Sequence, residues 1–273
     1  MQRHVKSRHP LDRPVWSALE CRQAAVSVGN HLARRFAPEF GPFAATRDDQ
    51  HEALDALDEL MASAERLLLL QAGVSPIPRA AIIEHRAAGV QMVLKALKPA
   101  VGRATVERLG PADVPEMRAL AELTRPGPFE ARTHELGAFY GIRHRGRLVA
   151  MAGERMKLNG FVEVSAVCTH LDYRGRGDAA QLTSIVASQI LDRGKTAFLH
   201  AYATNTPAIA LYEPLGFAVR CEMIVTVLAV TASQIRDRQL ETMSGVKLAK
   251  PPAARPAQAV DTMPAYSSAR ACR

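Results

Sequence analysis

The sequence predicts a mixed α/β protein: an antiparallel β-meander followed by one strand-helix-strand crossover, with flanking helices on a mixed sheet and an α/β lobe ahead of it. Three observations carry this. Residues 138–143, 147–158 and 161–169 are β-rich and are joined by Arg145-Gly146 and Asn159-Gly160. An Asn-Gly pair between such runs is a strong hairpin signal, because both turn positions need positive φ. After Thr169 a glycine turn leads into a helix from Asp178 to about Leu191, with Leu182, Ile185, Val186 and Ile190 on one side and Gly194 as its stop. Residues 197–202 then return as a strand, and a strand-helix-strand unit places its two strands parallel.

The remaining elements follow in order. Residues 1–50 mix charge with Pro10, Pro14, Pro38 and Pro42 and carry a short helical stretch near 16–28. From His51, Leu54, Leu57, Met61 and Ala64 recur at helical spacing beside Glu52, Asp55, Asp58 and Glu59, an amphipathic helix with an acidic face. A buried strand is expected at 66–71. Gly73, Pro76 and Pro78 break the pattern, and a helix around 79–88 and a strand at 90–94 follow before Pro99 and Gly102. Residues 105–109 read as a strand, and Pro111 opens a helix that Pro126, Gly127 and Pro128 end. Thr206 before Pro207 caps a short helix that stops at Gly216, and 219–230 closes the sheet. Beyond Gln234 the chain is rich in Pro, Ala, Ser and Arg, which predicts a flexible tail. The expected division is an N-terminal α/β lobe at 1–100, a main domain at 104–230 and a tail at 231–273.

The chain has 273 residues, 48% hydrophobic and 23% charged, with a formal charge of +8. This is the balance of a globular protein that meets anionic partners. No aromatic-interleaved nucleic-acid signature is visible, so nucleic acid is not the expected partner, although the basic termini keep it as a third reading. Cys21, Cys168, Cys221 and Cys272 are widely spaced, which points away from a zinc site or disulfide framework and toward a reducing cytoplasm. Apolar runs are too short to span a bilayer, and no signal-peptide core is seen.

The turn Arg174-Gly175-Arg176-Gly177-Asp178-Ala179 carries the chemistry. Its glycines let the backbone turn sharply and expose consecutive N–H groups, and the helix that follows adds its positive dipole end. Arg174 and Arg176 add charge-assisted donors, which makes a phosphate-sized cradle, and Asp178 reads as a helix cap. About 30 residues on, a second motif reads Asn205-x-x-Ala208-x-x-Leu211-Tyr212-x-x-Leu215-Gly216-Phe217.

The runs VCTHLDYRGRGDA and NTPAIALYEPLGF together resemble the GNAT superfamily of acyl-CoA-dependent N-acyltransferases, in particular its glycine-N-acyltransferase-like branch. The resemblance covers about 104–230 well and 1–100 loosely, the latter suggesting a degenerate lobe. It implies acetyl-CoA or another acyl-CoA as co-substrate, with its pyrophosphate on the turn and its pantetheine paired to the backbone of Val167 and Thr169. It also implies that Asn205 matches the family's asparagine and Tyr212 the tyrosine that protonates the leaving thiolate. Leu171 departs from the proline common at its position, and no acceptor-binding motif is recognisable.

Only about 10⁻³ of an alkyl amine with a pKa near 10.4 is free base at pH 7, so the site must supply a base or desolvate the amine. Glu163 shares strand parity with Ser165, Val167 and Thr169 and is the candidate base, with Glu154 as competitor. A phenol such as Tyr212 can protonate the thiolate. The same residues also admit plainer readings: Tyr212 as a packed aromatic, Glu163 as a solvated edge carboxylate, Asn205 as a turn former, Cys168 as a small buried residue and His170 as a loop residue. The expected acceptor is a small-molecule amine or amino acid, with no metal required. A non-catalytic acyl-CoA-binding module is the alternative.

Overall fold

A computed structural model describes residues 9–230, apart from 63, 65, 80 and 101. The expected tail from residue 231 and the basic residues before His9 lie outside the described residues. Pro14 at the first helical position starts α1 (Pro14–Glu20). It buries Val15, Ala18 and Leu19 and is shorter than the 16–28 stretch expected. The chain leaves it through a short 3₁₀ turn at Ala24–Val26. Three short strands follow, β1 (Ser27–Gly29), β2 (Ala33–Phe36) and β3 (Phe43–Thr46). The acidic amphipathic helix is present as α2 (His51–Met61), with Leu57, Leu60 and Met61 packed on Leu67 and Leu69 of β4 (Arg66–Gln71).

The next element corrects the sequence reading. Residues 81–94 form one strand, β5 (Ala81–Leu94), and not a helix at 79–88 followed by a strand. Its pairing with the last strand runs from Leu94 opposite Phe217 to Ala81 opposite Val230. That ladder satisfies the backbone along the whole segment and outweighs the local helix preference of Glu84–Ala88, as β-branched Ile82 and Ile83 also favour.

The meander is then β6 (Val106–Leu109), α3 (Val114–Thr124), β7 (Phe139–His144), β8 (Arg147–Leu158) and β9 (Phe161–Thr169). The crossover runs through α4 (Asp178–Asp192) to β10 (Thr196–Tyr202), parallel to β9 as expected. The described residues end with α5 (Thr206–Tyr212) and β11 (Phe217–Val230).

All the strands join one eleven-stranded sheet, in the order β1-β2-β3-β4-β11-β5-β10-β9-β8-β7-β6. Apart from β6, this order is palindromic: β1 to β5 correspond to β7 to β11, and the two last strands of the halves lie crossed at the centre. Each half contains one parallel crossover, β3-α2-β4 and β9-α4-β10. Leu182, Val186, Ala187 and Ile190 of α4 pack on Val162, Val164, Ala197 and Leu199. Another cluster joins Met117, Leu120 and Ala121 of α3 to Ala166 and Cys168 of β9.

Candidate active site

The site is made by two strands that stop pairing. β9 and β10 are hydrogen-bonded only from Phe161, opposite Thr196, to Glu163, opposite Phe198, and they separate beyond that point. β9 also carries a bulge: Gly153 lies opposite Ser165 but Met151 opposite Cys168, and Ala166 has φ +52°. The bulge reverses the alternation. Val162 and Val164 pack toward α4, Ala166 and Cys168 toward α3, and Val167 toward α4 again. The expected common parity of Glu163 with Val167 and Thr169 is therefore corrected, since one inserted residue turns the later side chains to the other face. The backbone follows its own rule. The His170 N–H points to β8, reaching Val149 O at 2.8 Å, so by alternation the peptide groups of Thr169 and Val167 face the open edge.

At the end of β9 the chain turns through Gly175 at φ +77° and Gly177 at φ +83°, conformations an L-residue with a side chain adopts only at a cost. Gln181 is the first residue whose N–H returns to the helix, reaching Gly177 O at 3.0 Å. The N–H groups of Gly175 through Ala180 meet no acceptor among the described residues. Gly177 is the N-cap and makes no side-chain cap bond, so Asp178 sits inside the helix and does not cap it, contrary to expectation. The result is a run of free donors at a helix N-terminus, which fits a phosphate. Exposed Arg174 flanks it, and the Arg176 guanidinium lies 4.8 Å over the Tyr173 ring.

Between the separated strands lies a cavity of about 180 Å³ lined by Glu163, Val167, His200, Asn205 and Tyr212, with Arg155 and the 125–128 loop at one end. Glu163 is 1% exposed. Its oxygens accept from Arg155 Nε at 2.9 Å, Arg155 Nη2 at 2.8 Å and the Met156 N–H at 3.3 Å, and one lies 2.8 Å from His200 Nδ1. Burial pushes this carboxyl up, but the Arg155 charge and the hydrogen bonds from His200 and Arg155 outweigh it and hold it down at about 2. On the far side of His200, Gln91 Nε2 reaches the ring's Nε2 at 3.0 Å and donates to Leu11 O at 2.9 Å. The Gln91 oxygen accepts from Arg220 at 3.0 Å, and Arg220 pairs with Asp12 at 2.6 Å. With its amide fixed this way, Gln91 offers an N–H to His200, which leaves the imidazole proton on Nδ1 facing Glu163. Glu154, the competing carboxylate, is paired with Arg193 and Lys157 and does not line the cavity.

Tyr212 is 7% exposed, and burial, with the neighbouring Cys168 adding to it, pushes its phenol up to about 12. Burial likewise pushes the Cys168 thiol up to about 11, so Cys168 is a packed neutral residue and not a nucleophile. His170 is buried at the end of β9, where its Nδ1 accepts the Asp172 N–H at 3.3 Å and its Nε2 lies 3.0 Å from Arg147. Asn205, and not Thr206, caps α5, its side-chain oxygen accepting the Ala208 N–H at 3.3 Å. The structure therefore brings Glu163, Val167, Asn205 and Tyr212 to one cavity, and it adds Arg155 and His200, which the sequence reading did not single out. Among the described residues no group of side chains could hold a metal ion and no helix is long and apolar enough to cross a membrane.

The sheet separated beside a donor-rich turn defines a mixed α/β fold with an anion-suited turn at its open edge. Comparison with known proteins agrees. Residues 139–225 match the family described as FR47-like protein. A Novosphingobium aromaticivorans protein assigned to the GNAT acetyltransferases is 41% identical, with a TM-score of 0.75 over 82% of this chain and 100% of its own. A GCN5-related N-acetyltransferase from Kribbella flavida shares the fold at 16% identity, with a TM-score of 0.58 over 83% of this chain and 98% of its own. No curated protein matches the chain. The chain belongs to the GNAT family of acetyltransferases. That membership supports an acyl-transfer function.

Proposed function

We propose that the protein is an N-acyltransferase that moves an acetyl group from acetyl-CoA to the amine of a small molecule or amino acid by direct attack in a ternary complex. The observation that carries this is the convergence of three features: the free N–H groups at 175–180, the unpaired edge of β9 at Val167 and Thr169, and the Tyr212 phenol in the cavity between them. The turn, with Arg174 and Arg176, suits a pyrophosphate, and the β9 edge suits an amide-bearing chain laid along it. Asp178 and Ala179 contribute backbone donors, and Asn205 fixes the start of the helix that presents Tyr212.

In this reading the amine nitrogen bonds to the thioester carbonyl carbon, the C–S bond breaks, and the Tyr212 O–H gives its proton to the departing thiolate. The proton shed by the amine returns to solvent, from which Tyr212 is recharged. Glu163 does not take that proton: a carboxylate held at about 2 and engaged by Arg155 and His200 is a weak base. It serves as the fixed counter-charge of Arg155, and the cavity selects the amine as free base by desolvating it. The two motifs favour the glycine-N-acyltransferase-like branch, and the palindromic sheet favours a degenerate second copy as the N-terminal half. The free thiols of Cys21 and Cys168 suit a cytoplasmic location.

Calorimetric titration with CoA, followed by mass spectrometry of an amine panel incubated with acetyl-CoA, tests this. Submillimolar CoA binding and at least one acetylated amine are expected, and absence of CoA binding ends the proposal. Binding without turnover, unaltered by Tyr212→Phe, would leave an acyl-CoA-binding module.

A further inference from the structure

Arg155 is 9% exposed, yet only part of its guanidinium is used. Nε and Nη2 grip Glu163, and the Phe43 ring covers one face with its centroid 4.4 Å from Cζ. Nη1 donates to no described residue. It faces the 125–128 loop, where a β-carbon added to Gly127 would stand 3.9 Å from it. Nη1 keeps contact with solvent and Arg155 lines the cavity, so the acceptor for this edge comes from water or from a ligand bound there. Glu163 cannot swing across to meet it, because His200 and the Met156 N–H hold it on the other edge. The cavity contains no other carboxylate, and Arg125 at its mouth adds a second cation without an acceptor among the described residues. Leu68, Leu70, Met223 and Val225 form an apolar wall nearby.

We propose that the acceptor is an amine that carries a carboxylate and an apolar side chain, and that Arg155 is the residue that reads the carboxylate through its Nη1 edge. This rests on the acyl-transfer reading of the same site. The carboxylate takes the parallel N–H bonds that a guanidinium offers and an ammonium does not, and the side chain lies on the apolar wall.

The test compares leucine, leucinamide and isopentylamine as acceptors with acetyl-CoA and the full-length protein, at equal concentrations of free base. Leucine is expected to exceed the other two in kcat/KM by on the order of 10²-fold, since a site built around a buried polar contact rejects analogues that lack it. Arg155→Lys should collapse the leucine to leucinamide ratio by more than tenfold, mostly through KM for leucine. The double variant Arg155→Gln with Glu163→Gln, which leaves no unpaired charge, should bring the ratio near unity. Should either variant fail to fold, the wild-type ratio decides alone. Equal rates with leucine and leucinamide would overturn the inference and leave acyl transfer standing, whereas acetylation of none of the three, with acetylation of other amines, would overturn it as well. No acetylation of any amine would remove both readings together.

Discussion

The two crossovers of the palindromic sheet, β3-α2-β4 and β9-α4-β10, share topology and differ in chemistry. The second enters its helix through glycines whose N–H groups are left free. The first enters through Arg47-Asp48-Asp49-Gln50, where Asp48 accepts the Gln50 N–H at 3.1 Å and the Arg47 Nε at 2.8 Å, and Asp49 pairs with Arg13. One helix start thus offers unmet donors that suit an anion, whereas at the other Asp48 already takes a backbone N–H and both aspartates are paired with arginines. The strands differ as well. β3 is buried throughout as Phe-Ala-Ala-Thr, whereas β9 carries Glu163 with its buried arginine. Tyr212 rides on α5 between β10 and β11, but the described residues between β4 and β5 form no helix. The same backbone plan thus makes a site only where donors are left unmet and strands part, which is why fold by itself does not determine function. The N-terminal half still takes part, because Phe43, Leu68 and Leu70 wall the cavity of its partner.

The largest effect on turnover expected from this contrast is that of Tyr212→Phe, which removes the proposed acid, a residue with no counterpart in the other half. It should lower kcat by about 10²-fold or more, the usual reach of a positioned acid, while the Kd for CoA stays within twofold. Because burial holds the phenol at about 12, kcat should show no falling limb from this group between pH 8 and 10. A limb centred near 10 would mean that Tyr212 is not the buried acid described. The sign for stability follows from the same shift. A folded pKa of about 12 against about 10 unfolded contributes stability that is present below pH 10 and lost as pH rises toward 12.

The largest effect on stability is that of Glu163→Gln, which strands the Arg155 charge in the interior and should cost about 3–5 kcal/mol, read by denaturant titration. If Glu163 were instead the catalytic base, the variant would lose kcat with its unfolding midpoint unchanged. In the wild type this pair contributes stability above the ordinary carboxylate pKa near 4.5, and that contribution is lost as pH falls toward about 2. Gly177→Val follows. A β-branched residue at φ +83° forces the turn to shift and should raise the Kd for CoA by about 10 to 10²-fold, and an unaltered Kd would break the contrast between the two turns.

Most of the C-terminal half was legible, because its signals are local. Asn159-Gly160 and Arg145-Gly146 set the hairpins, and the helix period from Leu182 to Ile190 set the crossover. β5 was misread because a strand whose partner lies more than a hundred residues later leaves no local trace of that partner. The site was legible as a motif but not as a geometry. Ala166 in the left-handed region is invisible in the sequence, and that one bulge reversed the parity argument for Glu163. Arg155 was within reach: the tight turn at Asn159-Gly160 folds it back beside Glu163, and a buried carboxylate needs such a partner. His200 and Gln91 were not within reach, because they meet only through the pairing of β5 with β10.

The smallest effect expected is that of Asp48→Ala in the turn of the first crossover. The lost hydrogen bonds are partly exposed, so stability should fall by about 1 kcal/mol or less, and the Kd for CoA should not move. Nor should the variant gain an anion site. Asp49 remains paired with Arg13, and no glycine in the turn lets the backbone present a run of donors. Phosphate titration of Asp48→Ala against Gly177→Val, monitored by amide shifts at the two helix starts, would sharpen the contrast. Perturbation confined to 175–180 in the wild type and in Asp48→Ala, and lost in Gly177→Val, is the expected pattern, whereas a response at 47–52 would mean that the first crossover binds anions as well.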